Sequence, residues 1–185
     1  MIKLNVKQRA NTVGTLRFVS VFLMETLARW IPITPEMEVK MLLSRQVWRM
    51  AQQADRLGRR ARELRAPLHY SRPPRAEYLA ALKQLAAVTD TIDRIDAFHD
   101  VALSALAQAY KGYLADTDRL TDEPTVMICD QALDEIETMK RERMEWGDEI
   151  PKSRASDSLT LKSVRQAIAA ANEMVDHTTE QAIAG

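Results

Sequence analysis

Read at every third or fourth residue, the stretch from Val88 to Tyr113 gives Val88, Ile92, Ile95, His99, Ala102, Leu106, Ala109 and Tyr113. A stripe of that length and spacing marks one face of a long helix, which must bury its apolar side against other helices. One imidazole stands in the middle of the stripe. Asp96, three residues earlier, lies one helical turn away at the edge of the same face. A carboxylate and a histidine so placed form a candidate acid–base pair or half of a metal site.

Other stretches repeat the pattern. Asn11 to Trp30 carries Val13, Leu16, Ser20, Leu23, Leu27 and Trp30 on one face and Phe18, Val21, Phe22 and Ala28 on another, so this first helix is expected to be buried on two sides. Glu25 falls on that second face, where it needs a partner: Arg29 at i+4, or something that it ligates. Thr34, Pro35 and Glu36 read as the cap and first turn of a second helix reaching about Arg65. Its stripe is Val39, Leu43, Val47, Met50, Ala54, Leu57, Ala61 and Leu64, with Met37, Met41, Trp48 and Ala51 on the far side, so burial on two faces is again expected in its first half.

Pro67 to Pro74 breaks the chain, and Ala76 to Val88 forms a shorter helical segment that either continues into the third long helix or kinks near Thr89-Asp90. The third helix ends near Asp116. A fourth begins at Leu120–Pro124, follows Val126, Cys129, Leu133, Ile136 and Met144, and ends near Trp146-Gly147. After a polar linker, Asp148 to Ser158, a last helix from Leu159 to about Ala182 has the narrow seam Leu161, Val164, Ile168, Ala171, Val175, Thr178 and Ala182. The pattern predicts an all-α chain: a four-helix bundle with a long middle connection over residues 1–147, then residues 148–185 as a linker and an additional C-terminal helix packing on the bundle or on a partner subunit. An up-down bundle with one long loop satisfies the same pattern.

Composition narrows the function classes. Lys plus Arg and Asp plus Glu balance at 26 each, so no global field attracts nucleic acid or an anionic membrane. The Arg56–Arg65 cluster reads as a solvated helix end, without the stacking aromatics or helix-turn-helix spacing of a nucleic-acid surface. The longest apolar run, Phe18 to Ala28, is interrupted by Ser20 and Glu25 and is too short to span a bilayer. The first residues lack the apolar segment of a signal peptide, and the single Cys129 fits a reducing compartment, so a cytoplasmic location is expected.

Three segments, KMLLSRQVWRMAQQADRLGRRARELR (Lys40 to Arg65), FHDVALSALAQAYKGYL (Phe98 to Leu114) and DEPTVMICDQALDEIETMKRERMEW (Asp122 to Trp146), resemble a group of ferritin-like proteins of unassigned function. The resemblance covers roughly Leu16 to Gly147. It implies a ferritin-like bundle with a long middle crossover, of the kind that holds two metals or a small organic substrate, with histidines where this chain has Gln46 and Gln53.

A di-iron carboxylate bundle needs a Glu from each of two helices and a Glu-x-x-His from each of the other two. This chain has three histidines and no Glu-x-x-His; His69 falls in the loop after the second helix and His177 near the end of the chain. The second helix offers amides with Arg49 between them, a poor environment for iron. No cofactor is therefore predicted. If iron or manganese binds, the donors on offer are Glu25, Asp96, His99 and Glu137.

Three readings follow. In the first, a ferritin-like protein with a degenerate metal site binds or transforms a small organic molecule in the bundle core, with His99, Asp96 and Glu25 as catalytic candidates and Gln46, Arg49, Gln53, Asp130 and Glu137 as binding candidates. The second is a metal-dependent oxidase or oxygenase with an atypical ligand set. The third is a non-catalytic interaction protein, a homodimer joined through the apolar second faces of the first two helices and the terminal helix.

Overall fold

The computed structural model describes residues 4–66, 71–146, 158–171 and 174–175. Among them all regular structure is helical: α1 (Val6–Trp30), α2 (Met37–Glu63), α3 (Ala76–Ala86), α4 (Thr91–Asp96), α5 (Leu103–Asp116), α6 (Glu123–Glu145) and α7 (Leu159–Ala170). No helix among the described residues is long and apolar enough to cross a membrane. His69, His177, Gly147, most of the predicted polar linker, Thr178 and Ala182 lie outside the described residues.

Local chemistry sets the helix ends. α1 starts earlier than the stripe suggests because Asn5 and Gln8 form a reciprocal capping box, each side chain bonding the other's backbone N–H at 2.9 Å. Thr34 does not cap α2: its hydroxyl donates to the Trp30 carbonyl at 2.8 Å, closing the end of α1, and α2 begins at Met37. The chain does break before the third long helix, where the Asp90 carboxylate accepts from the Ile92 and Asp93 N–H groups and starts α4.

α2 ends in a left-handed turn. Arg65 has φ 62°, and the Ala66 N–H reaches back to the Ala61 carbonyl at 2.9 Å. A residue with a Cβ is strained there, whereas glycine is not. Arg65→Gly is expected to stabilise the fold by roughly 0.5–1 kcal/mol, seen as a higher urea midpoint at unchanged m.

The long helices pack as a ring in which α1 lies against α2, α2 against α6, α6 against α5, and α5 against α1. Specific contacts fix their directions. The Leu4 N–H donates to the Asp116 carbonyl at 3.2 Å, and Arg9 bonds Thr121, so the start of α1 meets the end of α5 and the start of α6. Arg60, near the end of α2, bonds Asp122 at 2.9 Å at that same end. At the far end the Arg94 guanidinium lies over the Trp30 ring, and the Trp30 indole donates to the Ala86 carbonyl at the end of α3. Val13, Leu16, Leu23 and Leu27 of α1, Leu43, Met50 and Leu57 of α2, Phe98, Leu106 and Tyr110, and Cys129, Ile136 and Met139 of α6 form one buried core.

Burial departs from the sequence pattern on two faces. Met37, Met41 and Trp48 are exposed, Trp48 at 64%, so the first half of α2 is covered on one side only. Phe18, Val21 and Phe22 of α1 are half-buried, while Ala28 is exposed. Met144 is also exposed; Ala132 and Met139 take the inward places on α6. The α7 seam is buried as expected: Leu161, Val164 and Ile168 pack where α7 crosses α3, α4 and the start of the α5 stretch.

Candidate functional site

Between α4 and α5 the chain widens into a π-helical segment, Ala97–Ala102, with His99 inside it. Such single-turn widenings insert one extra residue per turn, re-aim side chains, and recur at functional sites. Nothing in the sequence marks it. Here the segment places His99, 1% exposed, in the bundle interior while Asp100 faces outward.

His99 Nδ1 lies 2.9 Å from the Ile95 carbonyl, which accepts its proton. That fixes the tautomer with Nε2 as a bare acceptor, and Nε2 has no partner among the described residues. Burial pushes the imidazole pKa down from 6.5 to about 4; the Ile95 carbonyl and Asp96 oppose the shift, while Arg143 and Lys140 reinforce it. The ring is neutral at pH 7. The unfolded chain binds the proton more readily, so this contribution to stability is complete above pH 6.5 and is lost as pH falls toward 4. Relative to His99→Leu, the wild type is expected to lose about 3 kcal/mol between pH 7 and pH 4, measured by urea unfolding across that range.

The expected orienting role of Asp96 is not seen at Nδ1. Asp96 is fully buried and accepts a hydrogen bond from Arg143 of α6. One residue earlier on α6, Glu142 binds Arg49 and accepts a longer bond, 3.4 Å, from the Gln46 amide. Two turns along, Glu135 takes the Arg56 guanidinium at 2.6 Å. Arg56 and Arg60 of the basic cluster therefore point inward to carboxylates on α6 and before it, whereas Arg59, Arg62 and Arg65 are exposed as a solvated end would be.

These pairings give α2 and α6 an antiparallel register that sets Gln46 near Glu142 and Gln53 about two turns further along. Both glutamines are fully buried. Among the described residues neither amide atom of Gln53 has a partner, nor does Gln46 Oε1. On the opposite helix the Tyr110 hydroxyl is buried beside Ser20 and burial raises its pKa, whereas the glutamine atoms remain unpartnered. Each buried polar atom left so costs about 1–3 kcal/mol unless something polar reaches it.

The other sequence candidates lie outside this interior. Glu25 is exposed and 4.0 Å from Arg29, its i+4 neighbour. Asp130 is exposed and paired with Arg119 at 3.2 Å, and Glu137 is exposed beside Lys140 at 3.9 Å. Both sit on the outward face of α6, whose inward face is drawn by Cys129, Ile136 and Met139.

The donor set does not suit a metal. Among the described residues no three His, Cys, Asp or Glu side chains gather closely enough to hold an ion. Asp96 and Glu142 are engaged by arginines, and Arg143 and Lys140 put positive charge beside His99. A cation at Nε2 would meet repulsion without a second anionic ligand.

A second buried cluster escaped sequence reasoning. Asp122, fully buried just before α6, accepts from Tyr113 at 2.5 Å, Thr125 at 2.6 Å, Thr117 at 2.7 Å and Arg60 at 2.9 Å. Burial alone would raise its pKa, but these four donors outweigh it and hold the carboxyl below its usual range. Every oxygen is satisfied, which marks the cluster as a structural clamp. Comparison with known proteins returns no matching family model, no matching curated protein and no matching solved structure.

Proposed function

We propose that the chain is a ferritin-like four-helix bundle that has replaced a di-metal centre with a site for a small, uncharged organic molecule. The observation that carries the reading is the set of interior atoms without a partner among the described residues: His99 Nε2, Gln46 Oε1 and both amide atoms of Gln53. All belong to groups that are neutral at pH 7, and the charged groups around them are already matched as Arg143–Asp96, Arg49–Glu142 and Arg56–Glu135. An uncharged guest with both donors and acceptors satisfies these atoms; an ion would add an unmatched buried charge. His99, with Nδ1–H held and Nε2 bare, is the group able to take a proton from such a guest.

The bundle topology rests on which helix ends meet. In support of a middle crossover, α2 and α5 finish at the same end and α3 ends beside Trp30 at the far end. A middle crossover of that kind distinguishes a ferritin-like bundle from an up-down one.

The test is native mass spectrometry of protein purified from medium supplemented with iron and manganese. The expected result is a bound organic mass, lost in a folded Gln53→Leu, His99→Leu variant, with metal at background. Stoichiometric iron or manganese released by His99→Ala would overturn it in favour of the oxidase reading.

One observation favours the interaction reading as a second function. Met37, Met41 and Trp48 lie on one exposed face of α2. A homodimer through that face predicts a dimeric mass by light scattering and a monomer for Trp48→Glu; a monomeric wild type would reject it.

A further inference from the structure

A concavity of about 580 Å³ opens where α3, α5 and α7 meet, lined by none of the residues of the interior cluster. Its inner wall is apolar, formed by Leu16, Val101, Ala105, Ile168 and Met174, with Tyr78 of α3 among them. Four hydroxyls line the concavity, and that of Ser104 is only half-buried, where water reaches it. Thr12 donates to the Gln8 carbonyl at 3.0 Å and Tyr113 to Asp122 at 2.5 Å. Tyr78 differs: it is only 5% exposed, and its hydroxyl has no hydrogen-bond partner among the described residues. Burial alone raises its pKa, with no hydrogen bond contributing. Asp100, Asp116 and Arg165 stand at the exposed rim, where water screens them.

We infer that this concavity binds a small, uncharged, largely apolar molecule carrying one hydrogen-bonding group, which meets the Tyr78 hydroxyl. The volume falls in the range of small-molecule sites. A largely apolar wall with one deeply set hydroxyl that no described residue engages selects for the position of a single polar group and leaves the rest of the ligand to apolar contact. The rim carries both signs of charge, so it gives no net preference for an anion.

The probe pair is 2-naphthol and naphthalene, two molecules of nearly one shape that differ by a hydroxyl. Titrated into the full chain and followed by amide chemical shifts, both are expected to give saturable changes at Val101, Ala105 and Ile168. Tyr78→Phe is expected to weaken 2-naphthol about fivefold and to leave naphthalene unchanged. Ala105→Phe, which fills the wall, removes both. No saturable shift up to millimolar probe, shifts mapping elsewhere, or equal effects of Tyr78→Phe on the two probes would each overturn the inference. A thermal midpoint of Tyr78→Phe matching the wild type shows that the comparison is made on folded protein.

Discussion

Asp122→Ala is expected to lower the free energy of unfolding by about 3–5 kcal/mol. The carboxylate is fully buried and joins three helices: Arg60 from α2, Tyr113 from α5 and Thr125 from α6, with Thr117 from the intervening loop. Removing it takes the shared acceptor from a guanidinium, a phenol and two hydroxyls in a dry site, leaving Arg60 bound to the Thr125 hydroxyl at 2.7 Å and to the exposed Glu63 at 2.9 Å. The penalty is that of orphaned donors rather than of one lost contact. Asp122→Asn keeps an acceptor carbonyl and is expected to lose roughly half as much. The pH dependence has a definite sign. With its folded pKa held below 3.8, Asp122 contributes stability that is complete above that value and lost as pH falls through the folded pKa. Urea titrations of the wild type and both variants at pH 7 measure the first two effects, and repeating them at acid pH measures the third.

Asp96→Ala is expected to cost a similar amount, about 3–5 kcal/mol, and to do something that Asp122→Ala does not. Arg143 would keep a buried charge with its main partner gone, and its Nη1 already lacks one. The uncompensated guanidinium faces His99, so the imidazole pKa is expected to fall below its value of about 4. Replacing both partners, Asp96→Leu with Arg143→Leu, is expected to recover most of the loss, because an apolar pair of similar size leaves no orphaned charge. A double variant no more stable than Asp96→Ala would mean that Asp96 acts mainly through groups other than Arg143.

The sequence made the helices legible because burial follows a 3.6-residue period. The stripes of α1, of α2 and of the stretch from Val88 to Tyr113 name most of the residues now found in the core. It also placed Asp96 and His99 inside. It misled where one residue type serves two roles. Met37, Met41 and Trp48 read as core and are exposed, since apolar character alone does not say whether a partner helix lies over it. Arg56 and Arg60 read as solvated because long side chains are commonly so; their carboxylates are 79 and 62 residues away along the chain, and such pairings have no local signature. Glu25 and Glu137 looked usable as ligands only while the faces of α1 and α6 were unassigned, and both proved to face solvent. The π-helical segment is the deepest omission. It alters the phase of the helix at His99, and a periodicity argument assumes that phase to be constant.

Stability and the proposed function meet along the inner side of α6. Three arginine–carboxylate pairs neutralise the interior and leave uncharged polar atoms there, which is costly for folding unless a polar partner reaches them. The same economy explains why His99 remains neutral and why a cation is disfavoured next to it.

The most direct measurement of that claim is high-resolution crystal density between α2 and the π-helical segment. The account predicts an organic molecule with a polar atom within hydrogen-bond reach of His99 Nε2 and the Gln53 amide, and no ion of metal-ligand distance there. A metal at Nε2, or only ordered waters satisfying these atoms, would contradict it.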